Sequence, residues 1–157
     1  MRSDEARKIF LDYFANLQHT IVASSPVVPI GDSSLLFSNA GMNQFKDILI
    51  GKEPSPYKPA RAVSVQKCIR VSGKHNDLDE VGRDGYHHTF FEMLGNWSFG
   101  DYFKHDAIIW AWKLLTEHYK ISSDKLWAAV YKDDDESFSI WENEIGLPAN
   151  RIVRCCE

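Results

Sequence analysis

The sequence predicts an α+β domain with an antiparallel sheet at its centre. Three features support this prediction: an amphipathic helix opens the chain, two strands joined by a long charged loop occupy the middle, and helices alternate with strands towards the end. The 157 residues are 44% hydrophobic and 25% charged, which is the composition of an ordinary globular protein. One domain, residues 1–157, is therefore the expectation.

The first elements follow from apolar spacing. A helix is predicted over residues 3–17, with Ser3 as its N-cap and six apolar side chains on one face: Ala6, Ile9, Phe10, Tyr13, Phe14 and Leu17. A β-branched run predicts a short strand over residues 20–25, and the prolines after it confine the chain to an extended conformation. Residues 35–37 are predicted as another short strand and residues 42–50 as a short helix.

The middle of the chain is predicted to form two paired strands. Between residues 61 and 71, large apolar side chains alternate with a smaller and more polar set that includes Arg70. Arg70 is therefore expected on the polar face of its strand. The partner strand is predicted over residues 87–94, with Gly95 ending it.

Four further elements complete the pattern. Residues 106–119 predict a helix with a broad apolar face, and residues 126–131 predict a strand. A second helix over residues 134–145 and a last strand over residues 151–155 follow. The chain therefore ends in the order α, β, α, β, which together with the earlier elements predicts a mixed α/β domain with an antiparallel sheet at its centre.

The overall composition limits the partners and the cellular locations that the sequence predicts for this protein. Eighteen Lys and Arg against 22 Asp and Glu give a net charge of -4, so any contact with nucleic acid must come from a local basic patch. The three cysteines lack zinc-ligand spacing and are interpreted as reduced thiols of a cytoplasmic protein. No signal peptide is visible, and no apolar run approaches the ~20 residues of a membrane helix.

The loop between the two middle strands is too long for a turn. It comprises fifteen residues, 72–86, and compact domains rarely keep structureless loops beyond about 12–15 residues unless the loop has a function. Lys74, His75 and Arg83 can donate to phosphate, while the glycines of the loop let its backbone approach a ligand. The loop is therefore predicted to be a charged flap over a ligand.

Arg70, at the end of the strand before this loop, is the first candidate for a functional residue. A guanidinium on a rigid strand can clamp a phosphate and stabilise negative charge on phosphorus, whereas the alternative is an ion pair with a loop acid. Alternation places one imidazole of His87–His88 and one ring of Phe90–Phe91 on each face. These residues predict a nucleotide phosphate site on a β-hairpin.

Two other kinds of site have weaker support. A metal site would use the three histidines His75, His87 and His88 together with either Asp77 or Glu92. Their spacing matches no standard zinc or iron pattern. A nucleophilic role for Cys68 beside a histidine lacks any sign of a strained nucleophile turn or of an orienting acid.

Four strings in the sequence are long and specific. They are NAGMNQFK at 39–46, QKCIR at 66–70, GKHNDL at 73–78 and HHTFFEMLGNWSFGDYFK at 87–104. Together they resemble the N-terminal catalytic domain of the alanyl-tRNA synthetase family, and the similarity covers essentially the whole chain. The resemblance implies a class II synthetase-type antiparallel β-sheet flanked by helices, truncated before the third motif of that class.

The resemblance also implies roles for individual residues. The implied ATP-binding set is Arg70, His88, Phe90, Phe91, Glu92 and Met93. Arg70 is the implied catalytic residue and would contact the α-phosphate. The resemblance leaves open which of the two phenylalanines would stack on adenine. Lys74 and Asp77 would belong to a loop that closes over ATP and the tRNA acceptor end.

The implied reaction is the ATP-dependent activation of L-alanine to alanyl-adenylate, followed by transfer to tRNA(Ala), with Mg2+ bound to the substrate. The editing domain and its zinc are not expected in this chain. A piece without the third motif is expected to be inactive, to bind ATP weakly at most, and to favour dimers through apolar surface left exposed. The alternative is a free-standing paralogue that binds nucleotide or RNA without catalysis.

Overall fold

The computed structural model describes residues 1–30, 34–70 and 79–156. They form two compact units, Met1–Phe99 and Gly100–Glu157. The first contains a three-stranded sheet and the second a two-stranded sheet, each with helices, so the predicted α+β class is confirmed. No helix in the described part of the chain has the length and apolar character required to cross a membrane.

The first unit opens with helix α1, Ser3–Asn16. Its N-cap is Arg2 and not the predicted Ser3, because the backbone N–H of Arg2 donates to the carboxylate of Glu5 at 3.2 Å. At the other end, Gln18 takes a left-handed conformation with φ 64°. The buried side of α1 consists of Phe10, Tyr13 and Phe14, and the helix packs on the sheet.

The sheet has the order β1-β2-β3. Strand β1, Thr20–Val22, runs parallel to β2, Arg61–Ile69, and β2 runs antiparallel to β3, Phe90–Ser98. The antiparallel pairing predicted for the centre of the sheet is confirmed for β2 and β3, and β1 adds to this pair in parallel. The chain returns to the same end of the sheet between β1 and β2, and this return requires parallel pairing.

The two faces of the β2–β3 hairpin meet different neighbours. Arg7 of α1 pairs with Glu92 at 2.5 Å, so the helix lies on the Glu92 face. Residues 38–45 lie on the opposite face, where Gly41 donates its N–H to the sulfur of Met93 at 3.2 Å. The polar side chains of β2 belong to this second face, and they are buried rather than exposed.

Gln66 explains how a polar strand face can be buried. It is 1% exposed, and its side-chain amide pairs with the backbone of Ser25, accepting from the N–H at 2.9 Å and donating to the carbonyl at 3.0 Å. Gln44 donates to the same oxygen at 3.1 Å. Because these polar atoms have partners, their burial does not carry the desolvation cost of unpaired groups.

Strand β3 begins and ends later than predicted. It starts at Phe90 instead of residue 87 and continues through Gly95 to Ser98. Gly95 stays within the strand because the indole of Trp97 lies against its backbone; an added Cβ would come within 2.5 Å of that ring. The glycine here marks close packing, whereas the sequence pattern had been interpreted as a strand end.

The connection between β1 and β2 holds little regular structure. The strand predicted at residues 35–37 does not form. The helix predicted at 42–50 is a 3₁₀ turn, Asn43–Phe45, followed by the short helix α2, Lys46–Leu49. Phe45, 2% exposed, fixes this connection by packing against Trp97 with ring centroids 5.5 Å apart.

The second unit is a β-α-β unit preceded by a helix. Helix α3, Lys104–Lys113, continues into a π-helical turn, Leu114–His118. Strand β4, Ala128–Tyr131, leads through α4, Asp135–Ser139, to strand β5, Ile152–Cys155, which pairs parallel to β4. The predicted order of these elements is confirmed, and their bounds are shorter because both helices change to π-helical turns near their ends.

The core of the second unit lies on one side of its two strands. Its buried residues are Ala128, Val130, Leu147 and Ile152, with Trp112, Phe138, Trp141 and Ile145 packed around them. Asp134 caps α4 by accepting from the N–H of Ser137 at 3.1 Å and from Lys104 at 2.8 Å. The Lys104 ammonium, followed by the Ser137 donors, holds the pKa of Asp134 at about 2.

Candidate functional site

A pocket of about 200 Å³ lies at the end of the β2–β3 hairpin. Its walls are Arg70, Tyr86, His87, His88 and Phe91. This pocket contains three of the side chains that the sequence singled out as ATP ligands. Its volume is below the about 300–1,000 Å³ of a complete small-molecule site, so this pocket has room for only part of a ligand the size of a nucleotide.

Arg70 is held in a fixed position. Its backbone N–H donates to the carbonyl of Thr89 at 3.0 Å and so extends the ladder of β2 and β3 by one residue. Its Nε–H donates to the carbonyl of Asn39 at 3.0 Å, and its guanidinium carbon lies 5.2 Å from the ring centre of Phe91. Within the described residues no carboxylate pairs with Arg70, so it lines the pocket without a neutralising partner among them.

The pairing register separates the two candidate phenylalanines. Cys68 pairs with Phe91 and Ile69 pairs with Phe90, so Phe91 shares the face of Arg70 and Phe90 has the opposite face. Phe90 is 54% exposed and does not line the pocket. Of the two rings, Phe91 therefore lies beside Arg70 at the pocket.

Both histidines line the same pocket. Because β3 starts at Phe90, the histidine pair precedes the strand, and the predicted alternation between faces does not apply to it. His87 is anchored by Asp84, whose carboxylate lies 2.6 Å from the imidazole Nδ1. The same carboxylate accepts the backbone N–H groups of Tyr86 and His87 at 2.8 and 2.9 Å.

The Asp84 turn gives a testable pH dependence. The backbone N–H of His87, followed by its imidazole and the N–H of Tyr86, lowers the pKa of Asp84 to about 2. Because the folded pKa lies below the ordinary value of 3.8, the contribution of this turn is complete above pH 3.8 and is lost as the pH falls towards 2. We expect the Asp84 carboxyl carbon to titrate near pH 2 by NMR.

Glu92 and Met93 lie away from the pocket. Glu92 is on the α1 face and pairs with Arg7. Met93 shares the face of Arg70, but it lies two residue pairs beyond Phe91 along the hairpin, and its sulfur accepts from Gly41. Lys74 and Asp77, predicted for the closing loop, lie outside the described residues.

Cys68 lies beside Arg70 on the same face but is fully buried. Burial raises the pKa of its thiol, and the nearby Arg70 only partly offsets that shift. The thiol is therefore protonated near neutral pH and cannot act as a nucleophile without exposure. Among residues 1–30, 34–70 and 79–156, no three His, Cys, Asp or Glu side chains are grouped to hold a metal ion.

Three contributors to the site were missed by the sequence analysis. Tyr86 forms a wall of the pocket, Asp84 anchors the turn that carries His87, and the backbone carbonyl of Asn39 orients Arg70. Asn39 lies in one of the four specific strings, but it contacts Arg70 through its backbone carbonyl, and the type of side chain does not reveal such a contact. The Asp-Gly-Tyr sequence at 84–86 was the available signal for a side-chain-anchored turn.

Comparison with known proteins places this geometry in context. Residues 5–157 match the family described as tRNA synthetases class II (A). The chain is 61% identical over 154 residues to the alanine–tRNA ligase of Leptothrix cholodnii. It is 58% identical to the enzyme of that name from Ralstonia nicotianae and 60% identical to that from Chlorobium luteolum. Each match covers 98% of this chain and 17% of the relative, so the chain spans about a sixth of the length of these relatives.

Proposed function

This chain belongs to the family of class II (A) tRNA synthetases, and on that premise we propose that it forms the ATP-binding part of an alanine–tRNA ligase. The membership confirms the resemblance noted in the sequence. Residues 1–157 are the N-terminal portion of the aminoacylation domain in this proposal. The complete enzyme activates L-alanine with ATP and transfers it to tRNA(Ala).

The observation that carries the proposal is the placement of Arg70 beside Phe91. The guanidinium carbon and the ring centre are 5.2 Å apart at one pocket, close enough for a single nucleotide to contact both. In the proposal Phe91 stacks on adenine and Arg70 meets the α-phosphate. His88, which lines the same pocket, donates a hydrogen bond to the nucleotide in this proposal.

The proposed reaction requires that the reactants are positioned and that negative charge on the phosphoryl oxygens is stabilised. The carboxylate oxygen of alanine attacks the α-phosphorus of ATP, the bond from that phosphorus to the bridging oxygen breaks, and pyrophosphate leaves. A tRNA ribose hydroxyl then attacks the alanyl carbonyl carbon and AMP leaves. Arg70, fixed by Asn39 and carrying a permanent charge, stabilises the negative charge that develops on the phosphoryl oxygens.

The remaining partners follow from this reaction. ATP enters as its Mg2+ complex, because Mg2+ binds phosphate oxygens readily. Lys74 and Asp77 are proposed to contact ATP and the tRNA acceptor end. Dimer formation and a cytoplasmic location stay predictions.

The test is amino-acid-dependent exchange of labelled pyrophosphate into ATP, measured on the full-length polypeptide that contains residues 1–157. We expect exchange with L-alanine and at least about 100-fold less with L-valine, because a larger side chain must fit the same site. Charging of tRNA(Ala) is measured in parallel. Nucleotide binding without any exchange would instead identify a non-catalytic relative.

A further inference from the structure

We propose that Asn43 is a positioning residue that sets the orientation of Arg70 through the backbone of Asn39. The inference rests on the proposed function, since it concerns how Arg70 is presented to the phosphate. It assigns a role to the 39–46 string, which the resemblance singled out without giving any of its residues a task.

The side chain of Asn43 folds the segment that carries Asn39. Its carboxamide oxygen accepts the backbone N–H of Asn39 at 3.1 Å and that of Ala40 at 2.7 Å. The backbone N–H of Asn43 in turn donates to the carbonyl of Ala40 at 3.3 Å. Because one oxygen binds the N–H groups of both Asn39 and Ala40, the peptides of this turn cannot rotate without losing these two hydrogen bonds.

The peptide fixed in this way carries the acceptor for Arg70. The carbonyl of Asn39 receives the Nε–H of Arg70 at 3.0 Å. A planar guanidinium held at Nε cannot turn freely, so this bond sets how Arg70 presents its terminal nitrogens at the pocket that it lines. Asn43 is therefore two hydrogen bonds removed from the nitrogens that would meet the phosphate.

Other contacts hold the segment at both ends and isolate the contribution of Asn43. Ser38, 2% exposed, accepts the N–H of Ile69 at its carbonyl and donates its own N–H to Val27 at 2.7 Å. Gly41 lies against Trp97 so closely that an added Cβ would be 2.9 Å from the indole. The segment therefore stays on the sheet without Asn43, and only the peptides between these anchors become free to reorient.

The first test reads the orientation of Arg70 directly, in the 157-residue chain. We expect the Nε–H of Arg70 to give a resolved 15N NMR signal that exchanges slowly with water. In Asn43→Ala the exchange rate should rise by at least tenfold, and in Asn43→Asp it should stay low, because a carboxylate accepts the same two N–H groups. Asn143→Ala, on an exposed turn of the second unit, is the matched control.

The second test measures ATP–pyrophosphate exchange in the full-length polypeptide. Displacing a transition-state contact by about 1 Å can cost up to about 100-fold, so Asn43→Ala should lower kcat by tenfold or more, with rescue by Asn43→Asp. Melting curves recorded for each variant separate this effect from unfolding. A structural role alone would lower the melting temperature and leave kcat unchanged at a temperature well below the transition.

The outcomes separate the two proposals. The role of Asn43 would be overturned if Asn43→Ala changed neither the hydrogen-exchange rate at Arg70 Nε nor kcat. If Arg70→Ala were inactive in the same experiments, the proposed function would still stand. An active Arg70→Ala would instead contradict the proposed function itself. Equal losses in Asn43→Ala and Asn43→Asp would also overturn the inference, because the acceptor oxygen would then not be the cause.

Discussion

Arg70→Ala should reduce ATP–pyrophosphate exchange by about 10²–10³-fold in the full-length polypeptide, equivalent to about 2.7–4 kcal/mol of activation free energy. The side chain is held by the carbonyl of Asn39 and by the ring of Phe91, so its charge is in place before the substrate reacts. The preorganised charge is lost when the side chain is removed. Initial-rate measurements at saturating alanine and ATP give kcat, which should fall more than KM rises.

Arg70→Lys distinguishes charge from geometry. Lysine keeps the positive charge but lacks the planar fork and the Nε–H that Asn39 accepts, so a loss of at least tenfold should persist. Arg2→Ala, whose side chain is 84% exposed, serves as the arginine control and should be unchanged. Near-normal exchange by Arg70→Ala would remove the basis of the proposed site.

The order of elements could be predicted from the sequence because it depends on periodicity. The helical spacing of apolar residues identified α1, and the period-two pattern identified β2. The strand predicted at residues 35–37 does not form. A short apolar run does not by itself specify a partner strand, so its sequence alone could not show whether it would pair. The parallel pairing of β1 also depends on the path of the chain, which local spacing does not contain.

The chemistry of the site could be predicted to the level of residue types. Arg70, a histidine pair and a phenylalanine were expected together, and they lie around one pocket. The choice between Phe90 and Phe91 required the register, because a shift by one residue exchanges the two faces of a strand. Glu92 was grouped with them by its position in the string, yet its carboxylate pairs with α1.

Burial of the polar face of β2 illustrates a second limit of sequence patterns. Ser64 and Gln66 have the composition of an exposed face, and both are at most 1% exposed. The partners that make this possible, Ser25 and Trp97, lie about 30 to 40 residues away along the chain. A local hydropathy pattern contains no information about hydrogen bonds between residues so far apart in the sequence.

Gly95→Ala should destabilise the first unit by about 3 kcal/mol, at the upper end of the usual cost of overpacking. An added Cβ would lie 2.5 Å from Cζ2 and 2.9 Å from Cε2 of Trp97, and neither atom can move without displacing the ring. Alanine is otherwise the better residue for a strand interior, so any loss must come from this contact. Urea unfolding followed by Trp fluorescence and circular dichroism gives the free energy of unfolding.

Gly85→Ala is the matched control, because no atom lies within 4 Å of a Cβ at that position and its backbone requires no positive φ. Its free energy of unfolding should change by less than about 0.5 kcal/mol.

A double-mutant cycle with Trp97→Leu identifies the contact responsible. Trp97→Leu alone is destabilising, because it removes packing on Phe45 and the donor to Ser64 at 3.3 Å. Once the indole is absent, Gly95→Ala should cost less than about 1 kcal/mol, which gives a coupling energy of about 2 kcal/mol or more. Additive losses would show that the glycine at position 95 serves the backbone of β3 and not the space that the Trp97 indole occupies.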